Sequence, residues 1–397
     1  MSSEVAADQV RVLYSFAHPY GSQGIGTTAR AQVEGLRSLG VQVDVWCTSI
    51  APGTPAAGCR TTMTAFGRRI PLRTIGLSRA WRFHDHRVAT ELRRNPGHYS
   101  LVHGWPLASA QTFEAARALG VPTFRELPNT HTAHAFEVVS AEYRRLGLDA
   151  PRGFSHRPDA ERLAREEREY QLADRLLAPS EPVAGTFLDR GFDREQIGYQ
   201  QYGYDPTRFQ ARRAEPHDRL EAIFVGSCDG RKGLHFALEA WERSGAGARG
   251  RFRICGRFAP GYEEILGRRL RLPGVEVLGP RSEVADLMGG SDVLVLPSVE
   301  EGSALVTYEA MASGCALLVS DAAGAHAEHA KEALVHAVGD VELLSEHLRS
   351  LSDDPTLLMS LRTAALERSR SLTWTHAARR LLDTYREHLP AEATAGR

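Results

Sequence analysis

The stretch Pro297-Ser-Val-Glu-Glu-Gly-Ser-Ala-Leu-Val-Thr-Tyr-Glu-Ala-Met-Ala-Ser-Gly314 decides how the chain is read. It follows an apolar run, Asp292 to Leu296, that reads as a buried strand, and Tyr308 to Ala312 reads as a helix. A loop between a strand end and a helix start presents backbone N–H groups, which suits a phosphate. Two carboxylates flank it, Glu301 in the loop and Glu309 in the helix, with seven residues between them. Each can accept two hydroxyl donors, such as a sugar or a ribose offers. The pair could hold sugar hydroxyls at one end and ribose hydroxyls at the other, with phosphates between. An ordinary helix start behind a solvated acidic loop uses the same residues, and both readings stay open on this stretch alone.

Outward from it, strands and helices alternate. Upstream lie strand-like runs at Leu220 to Gly226, Arg251 to Cys255 and Val275 to Leu278, with Ala316 to Ser320 downstream. Helical stretches at Leu234 to Arg243, Glu263 to Leu270 and Ser282 to Met288 separate them. Nearer the N-terminus, Val10 to Phe16 reads as a strand, Ala17 to Thr27 as a loop carrying Gly21, Gly24 and Gly26, Thr28 to Leu39 as a helix, and Val41 to Cys47 as a strand. Leu101 to Trp105, Val121 to Arg125 and Arg175 to Ala178 extend the series, and Gln200 to Pro206 reads as a linker. This is the pattern of two doubly wound α/β domains with parallel sheets, joined near residue 205.

Composition narrows the function classes. The chain has 397 residues, 48 Lys+Arg against 49 Asp+Glu, 42% hydrophobic and 24% charged residues. Disorder is excluded, and a strongly basic nucleic-acid binder is not indicated. No apolar run approaches the ~20 residues of a membrane-spanning helix, and Met1 to Gln9 lacks the pattern of a secretory signal. A cytoplasmic protein is expected. Five widely spaced cysteines without a CxxC pattern argue against a disulfide framework or a zinc site. Only two cations are lysines, Lys232 and Lys331.

The Glu301-x7-Glu309 stretch resembles the E-x7-E segment of retaining family 4 glycosyltransferases of the GT-B fold. Ile223 to Gly226, continuing to Arg231-Lys232-Gly233, is similar to that family's diphosphate-binding loop. Arg175 to Ser180 and Tyr202-Gly-Tyr-Asp-Pro206 resemble its interdomain region, and Leu372-Thr-Trp374 with the helix that follows resembles its C-terminal crossover helix. The resemblance covers nearly the whole chain. It implies two Rossmann-like domains facing across a cleft: an acceptor-binding domain over 1–204, a nucleotide-sugar-binding domain over 205–372, and a crossover helix within 373–397 that returns to the first domain.

The resemblance also implies roles. Glu301 would contact the donor sugar and Glu309 the ribose. Ser303, Ala304 and Leu305 would offer amides to the diphosphate. Lys232, helped by Arg231, would pair with it, and Gly226 would let the sheet edge approach it. Arg257 and Val277 to Gly279 would lie near the base or diphosphate. Gly24 and Gly26 would sit in the cleft near the donor phosphates. His131, in Glu126-Leu-Pro-Asn-Thr-His131-Thr-Ala-His134, would lie beside the transferred sugar, with His134 as the alternative; His103 is a weaker cleft candidate. Two positions depart from the family: Ser227 stands where Arg is usual, and Ser303-Ala304 where Phe-Gly is usual.

The expected activity is transfer of a sugar from a nucleotide-diphosphate sugar to an acceptor hydroxyl, with the anomeric configuration kept. The nucleotide sugar is a co-substrate, and neither metal nor cofactor is required. Small-molecule, lipid-linked and glycan acceptors all stay open. Peripheral membrane contact also stays open, through Arg60 to Arg94, which holds nine arginines among apolar residues. A nucleotide-sugar epimerase and a non-catalytic sugar-nucleotide binder are the alternatives. An NAD-dependent dehydrogenase fits less well, because the first strand lacks GxGxxG and Thr48, not an acid, ends the second.

Overall fold

The computed structural model describes residues 6–65, 68–70, 75–211 and 219–389. Phe66, Leu72 and Arg73 of the Arg-rich stretch, and 390–397 of the last segment, lie outside the described residues.

The first sheet has seven strands, with β1 (Arg11–Tyr20), β2 (Gln42–Ile50), β3 (Cys59–Thr61), β6 (Leu101–Gly104), β7 (Thr123–Glu126), β8 (Arg175–Ala178) and β9 (Ile197–Tyr199) in the order β3-β2-β1-β6-β7-β8-β9. A small hairpin, β4 (Thr64–Ala65) and β5 (Arg68–Arg69), lies apart from it. The second sheet has six strands, β10 (Glu221–Val225), β11 (Arg251–Cys255), β12 (Val275–Val277), β13 (Val293–Leu296), β14 (Ala316–Ser320) and β15 (Ala333–His336), in the order β12-β11-β10-β13-β14-β15. Every pairing within the two sheets is parallel. Parallel strands are covered on both faces, so they are made of continuous apolar runs. The β13 run Val293-Leu-Val-Leu296 is buried throughout.

Each sheet reverses its winding beside its first strand, between β1 and β6 and between β10 and β13. The carboxyl ends of strands at such a reversal open a crevice, where ligands of this fold bind. The loops after β10 and β13 leave from that crevice. The loop after β1 is shorter than expected, because β1 runs on to Tyr20 and the helix begins at Ile25. A register shift between Phe16 and Pro19 lets the strand continue past its proline.

The chain crosses between the sheets twice at one place. Tyr204 N–H donates to Leu372 O at 3.2 Å, and Trp374 N–H donates to Tyr204 O at 3.3 Å. Gly203 permits this crossing, since a Cβ there would lie 2.5 Å from Trp374 N. The helix Trp374–Arg386 then packs on the first domain through Ala377, Ala378, Leu381, Leu382 and Tyr385. It crosses the helix Ile25–Ser38 closely, with Gly35 facing Ala378. Cys47, Cys228, Cys255 and Cys315 are buried, and all five cysteines are free. Among the described residues, no helix is long and apolar enough to cross a membrane.

Candidate active site

Two loops of the second domain are zipped together at the crevice. The β10 strand ends at Val225 and is followed by Gly226, whose φ of +153° disfavours any residue with a Cβ, and Gly226 N–H donates to Cys255 O at 3.0 Å. A turn of 3₁₀ helix, Gly230–Lys232, follows, capped by the Asp229 carboxylate accepting from Lys232 N–H at 3.0 Å. Gly233 is required at its end: its φ is +69°, and a Cβ would lie 2.0 Å from Pro297 O. That contact sets the loop after β13 against the loop after β10. Val299 N–H donates to Arg231 O at 2.7 Å, and Arg231 Nη1 donates to Glu300 O at 2.7 Å.

The charged side chains follow this backbone. Lys232 pairs with Glu301, and Arg231 Nη1 reaches Glu301 Oε2 at 3.1 Å. Ser298 Oγ donates to Glu301 Oε1 at 3.2 Å. Burial alone pushes the Glu301 carboxyl up, but Arg231 and Lys232 outweigh it and hold the group below its ordinary value. The structure thus brings Gly226, Arg231, Lys232 and Glu301 into one cluster, with both cations set against the buried Glu301 carboxylate and Arg231 also facing that of Glu300. Arg257 is exposed at the end of β11, and its carbonyl accepts from Cys228 N–H at 2.9 Å, beside Gly226.

Beyond the cluster, the helix Leu305–Ala312 begins. Leu305 and Glu309 form one wall of a cleft of about 320 Å³, and Thr27 and Arg30 of the first domain form the other. Gly24, with a φ of +78°, starts the helix that carries Thr27 and Arg30. A Cβ on Gly26 would lie 2.5 Å from Ser22 Oγ, so Gly26 keeps this loop tight. Burial raises the Glu309 carboxyl to about 7, against the opposing charge of Arg208. Among the described residues, no donor reaches the Glu309 carboxylate. It is an open acceptor facing a cleft.

Three expected placements change. Ala304 does not have a free amide, because its N–H donates to Ala323 O at 3.2 Å. No such bond engages the Ser303 or Leu305 amides among the described residues, though the Ser303 hydroxyl is spent on Gly324 O at 2.8 Å and Tyr308 Oη at 2.7 Å. His131 is not presented to the cleft. It is 3% exposed and packs among Tyr170, Phe187 and Phe192, while its Nδ1 caps its own helix by accepting from Ala133 N–H at 3.2 Å. Burial lowers its pKa to about 4, and Arg190 adds to the effect. His134, three residues along the helix Thr132–Arg145, is half-buried and within the field of Glu300.

His103 is likewise a core residue. It stacks on Tyr14, bonds Tyr385 Oη at 2.6 Å and faces Glu126 at 3.2 Å. Glu126 also accepts from Tyr202 Oη at 2.8 Å and Gln32 Nε2 at 3.2 Å, so this buried network joins the first domain, the linker and the crossover helix. Sequence reasoning did not single out Glu300, which the structure sets between the domains. Its only signal was adjacency to Glu301, and an acidic pair in a loop reads equally as a solvated surface.

Two family models match the chain. Glycosyl transferase 4-like domain covers residues 23–203, and Glycosyl transferases group 1 covers residues 219–354. The chain is 29% identical over 322 residues to the D-inositol 3-phosphate glycosyltransferase of Rhodococcus erythropolis, covering 75% of this chain and 70% of that one. It is 27% identical over 380 residues to D-inositol 3-phosphate glycosyltransferase 1 of Catenulispora acidiphila, covering 87% and 86%. Its fold is similar to sucrose-phosphate synthase from Thermosynechococcus elongatus, with a TM-score of 0.70, 18% identity and coverage of 95% and 98%. It is also similar to Anabaena HepE in complex with UDP, with a TM-score of 0.67, 14% identity and coverage of 94% and 99%. The two facing Rossmann-like domains are those of a GT-B glycosyltransferase. The chain belongs to glycosyltransferase family 4, whose members transfer a sugar from a nucleotide-sugar donor.

Proposed function

We propose that the chain is a retaining glycosyltransferase that moves a hexose from a nucleotide-diphosphate sugar to an acceptor hydroxyl without a metal. The observation that carries the reading is that Lys232 and Arg231 meet at Glu301 in the crevice, next to a cleft where, among the described residues, no hydrogen-bond donor reaches the Glu309 carboxylate. Two fixed cations supply positive charge where the diphosphate would leave. A compact ammonium serves as a point charge and a guanidinium as a fork. Glu309 would accept the ribose hydroxyls, and Glu301 would turn from Lys232 toward a sugar hydroxyl as the diphosphate takes up the cation. The Leu305 amide, at the first turn of its helix, adds a donor that the helix itself does not use. Arg231 stands in for the cation missing at Ser227.

Charge that grows on the departing diphosphate would be stabilised by Lys232 and Arg231, in place before the reaction begins. No separate base is needed if the departing phosphate oxygen takes the acceptor's proton on the face it leaves. That face is also the one the hydroxyl attacks, so the configuration is kept. Closure of the domains would exclude water and suppress donor hydrolysis. The acceptor would bind on the first domain. Relatives named for D-inositol 3-phosphate make a phosphorylated polyol the first acceptor to try, with lipid-linked and glycan acceptors following, and placement at the inner membrane face through the Arg-rich segment belongs to the same proposal.

The test is release of nucleoside diphosphate in EDTA, with and without acceptor, and the anomeric configuration of the product by NMR. Acceptor-dependent release with retention supports the reading. A sugar isomerised without any acceptor would make the chain an epimerase, and tight binding with neither transfer nor hydrolysis would make it a binder.

A further inference from the structure

Glu300 is 1% exposed and belongs to the second domain, yet most of its side-chain partners come from the first. Its Oε1 accepts from Thr130 N–H at 3.1 Å and from Thr130 Oγ1 at 2.7 Å. Its Oε2 meets His156 Nε2 at 2.9 Å and lies 3.6 Å from Arg231 Nη1. Beside it, the backbone at Gly302 lies so close to Pro128 that a Cβ would be 2.0 Å from Pro128 O. Ser180 Oγ donates to Gly302 O at 2.5 Å from the same side. Thr130 and His156 also line a small polar cavity of the first domain, with Arg162 and Glu166.

A buried carboxylate without partners costs several kcal/mol, so it persists only where it is paired. These pairs exist only while the domains touch. Opening the cleft would separate Glu300 from Thr130 and His156 and leave Arg231, on its own domain, as the cation beside its carboxylate, free to draw it closer. The Arg231 Nη1 atom is shared among Glu300 O, Glu300 Oε2 and Glu301 Oε2, so the position of this guanidinium depends on where Glu300 is held.

We propose that Glu300 is a closure latch: it binds the Thr130 and His156 segments of the first domain to the donor loops, and while the cleft is shut those bonds hold its carboxylate where the Arg231 guanidinium stays turned toward Lys232 and Glu301. It is a positioning residue. The inference rests on the transferase reading of the same site, since the cations it orders are those assigned to the diphosphate. It couples the acceptor-side loop after β7 to the donor-side charge, so that leaving-group stabilisation is complete only in the water-excluding state.

The experiment is small-angle scattering on the full chain without nucleotide, for wild type, Glu300→Gln and Glu300→Ala, followed by steady-state kinetics. Scattering needs no turnover, so its result stands even if the transferase reading fails. Glu300→Ala is expected to increase the radius of gyration, and Glu300→Gln, which keeps an acceptor oxygen for Thr130, to increase it less. In turnover, Glu300→Ala is expected to lower kcat on the order of 10–100-fold, to leave the donor KM nearly unchanged, and to raise the ratio of donor hydrolysis to transfer. Thr130→Val is expected to cost activity alone but little more in the Glu300→Ala background. Unchanged scattering in both Glu300 variants overturns the latch. So does a donor KM that rises as steeply as kcat falls, or losses at Thr130 and Glu300 that simply add.

Discussion

The segment after β13 and the segment after β7 lie on opposite sides of the same contact, and they differ in how they were built. In the first, local chemistry and final position agree: Glu301 and Glu309 stand where a loop and a helix start place them, one among cations and one on the cleft wall. In the second, His131 resembles a cleft residue in sequence and is a packed core residue in space. The difference lies in what determines each position. A charge at a strand–loop–helix junction is placed by nearby backbone. The direction of a ring at a helix N-terminus is placed by whatever apolar surface is within reach, here Tyr170, Phe187 and Phe192 from distant elements.

The largest effect should come from the donor side. Lys232→Ala removes a charge from the leaving group and is expected to lower kcat/KM for transfer ~10²–10³-fold, measured by nucleoside diphosphate release. It also leaves Glu301 with Arg231 as its one remaining cation among the described residues. An effect below about tenfold would break the contrast, because the legible segment would then carry no chemistry.

The two histidines sharpen it. His134→Ala is expected to lower kcat about tenfold or more, with the melting temperature nearly unchanged. His131→Ala should do the reverse: a loss on the order of 2 kcal/mol of stability from the emptied aromatic pocket and the lost cap, with the folded fraction turning over near the wild-type rate. Denaturant unfolding and single-turnover kinetics separate the two. If His131→Ala abolishes turnover without destabilising the chain, the first-domain assignment is reversed.

A smaller effect concerns pH. The Glu309 carboxyl sits at about 7 in the folded chain against an ordinary 4.5. Between those values the folded state holds a proton that the unfolded state has released, so ligand-free stability falls as pH rises through that window. Glu309→Gln should therefore be more stable than wild type at pH 8, and the difference should vanish near pH 4, as read by thermal unfolding. Binding runs the other way, because ribose hydroxyls need the ionised acceptor. A nucleotide sugar, whose diphosphate does not titrate in this range, should bind wild type more tightly at pH 8 than at pH 6, and the variant equally at both.

Much of the fold was legible because parallel strands buried on both faces leave apolar runs that survive in the sequence, as in Val293 to Leu296. The Lys232 and Glu301 partnership was legible as two separate motifs, and only the sheet order shows that β10 and β13 are neighbours. Glu300, Glu126 and the amide of Ala304 were not legible. Each is defined by a partner far along the chain: Thr130 for Glu300, Tyr202 for Glu126, Ala323 for Ala304. Nothing in a local pattern separates a carboxylate that spans two domains from one that faces water.

The most direct test of the donor site is thermal unfolding in EDTA against UDP, GDP, ADP and TDP and their sugars, for wild type and Lys232→Ala. One nucleotude class should raise the wild-type melting temperature by several degrees, as binding to the folded state alone requires, and that shift should be lost in Lys232→Ala. No shift with any nucleotide, or an equal shift in the variant, would contradict the site described here.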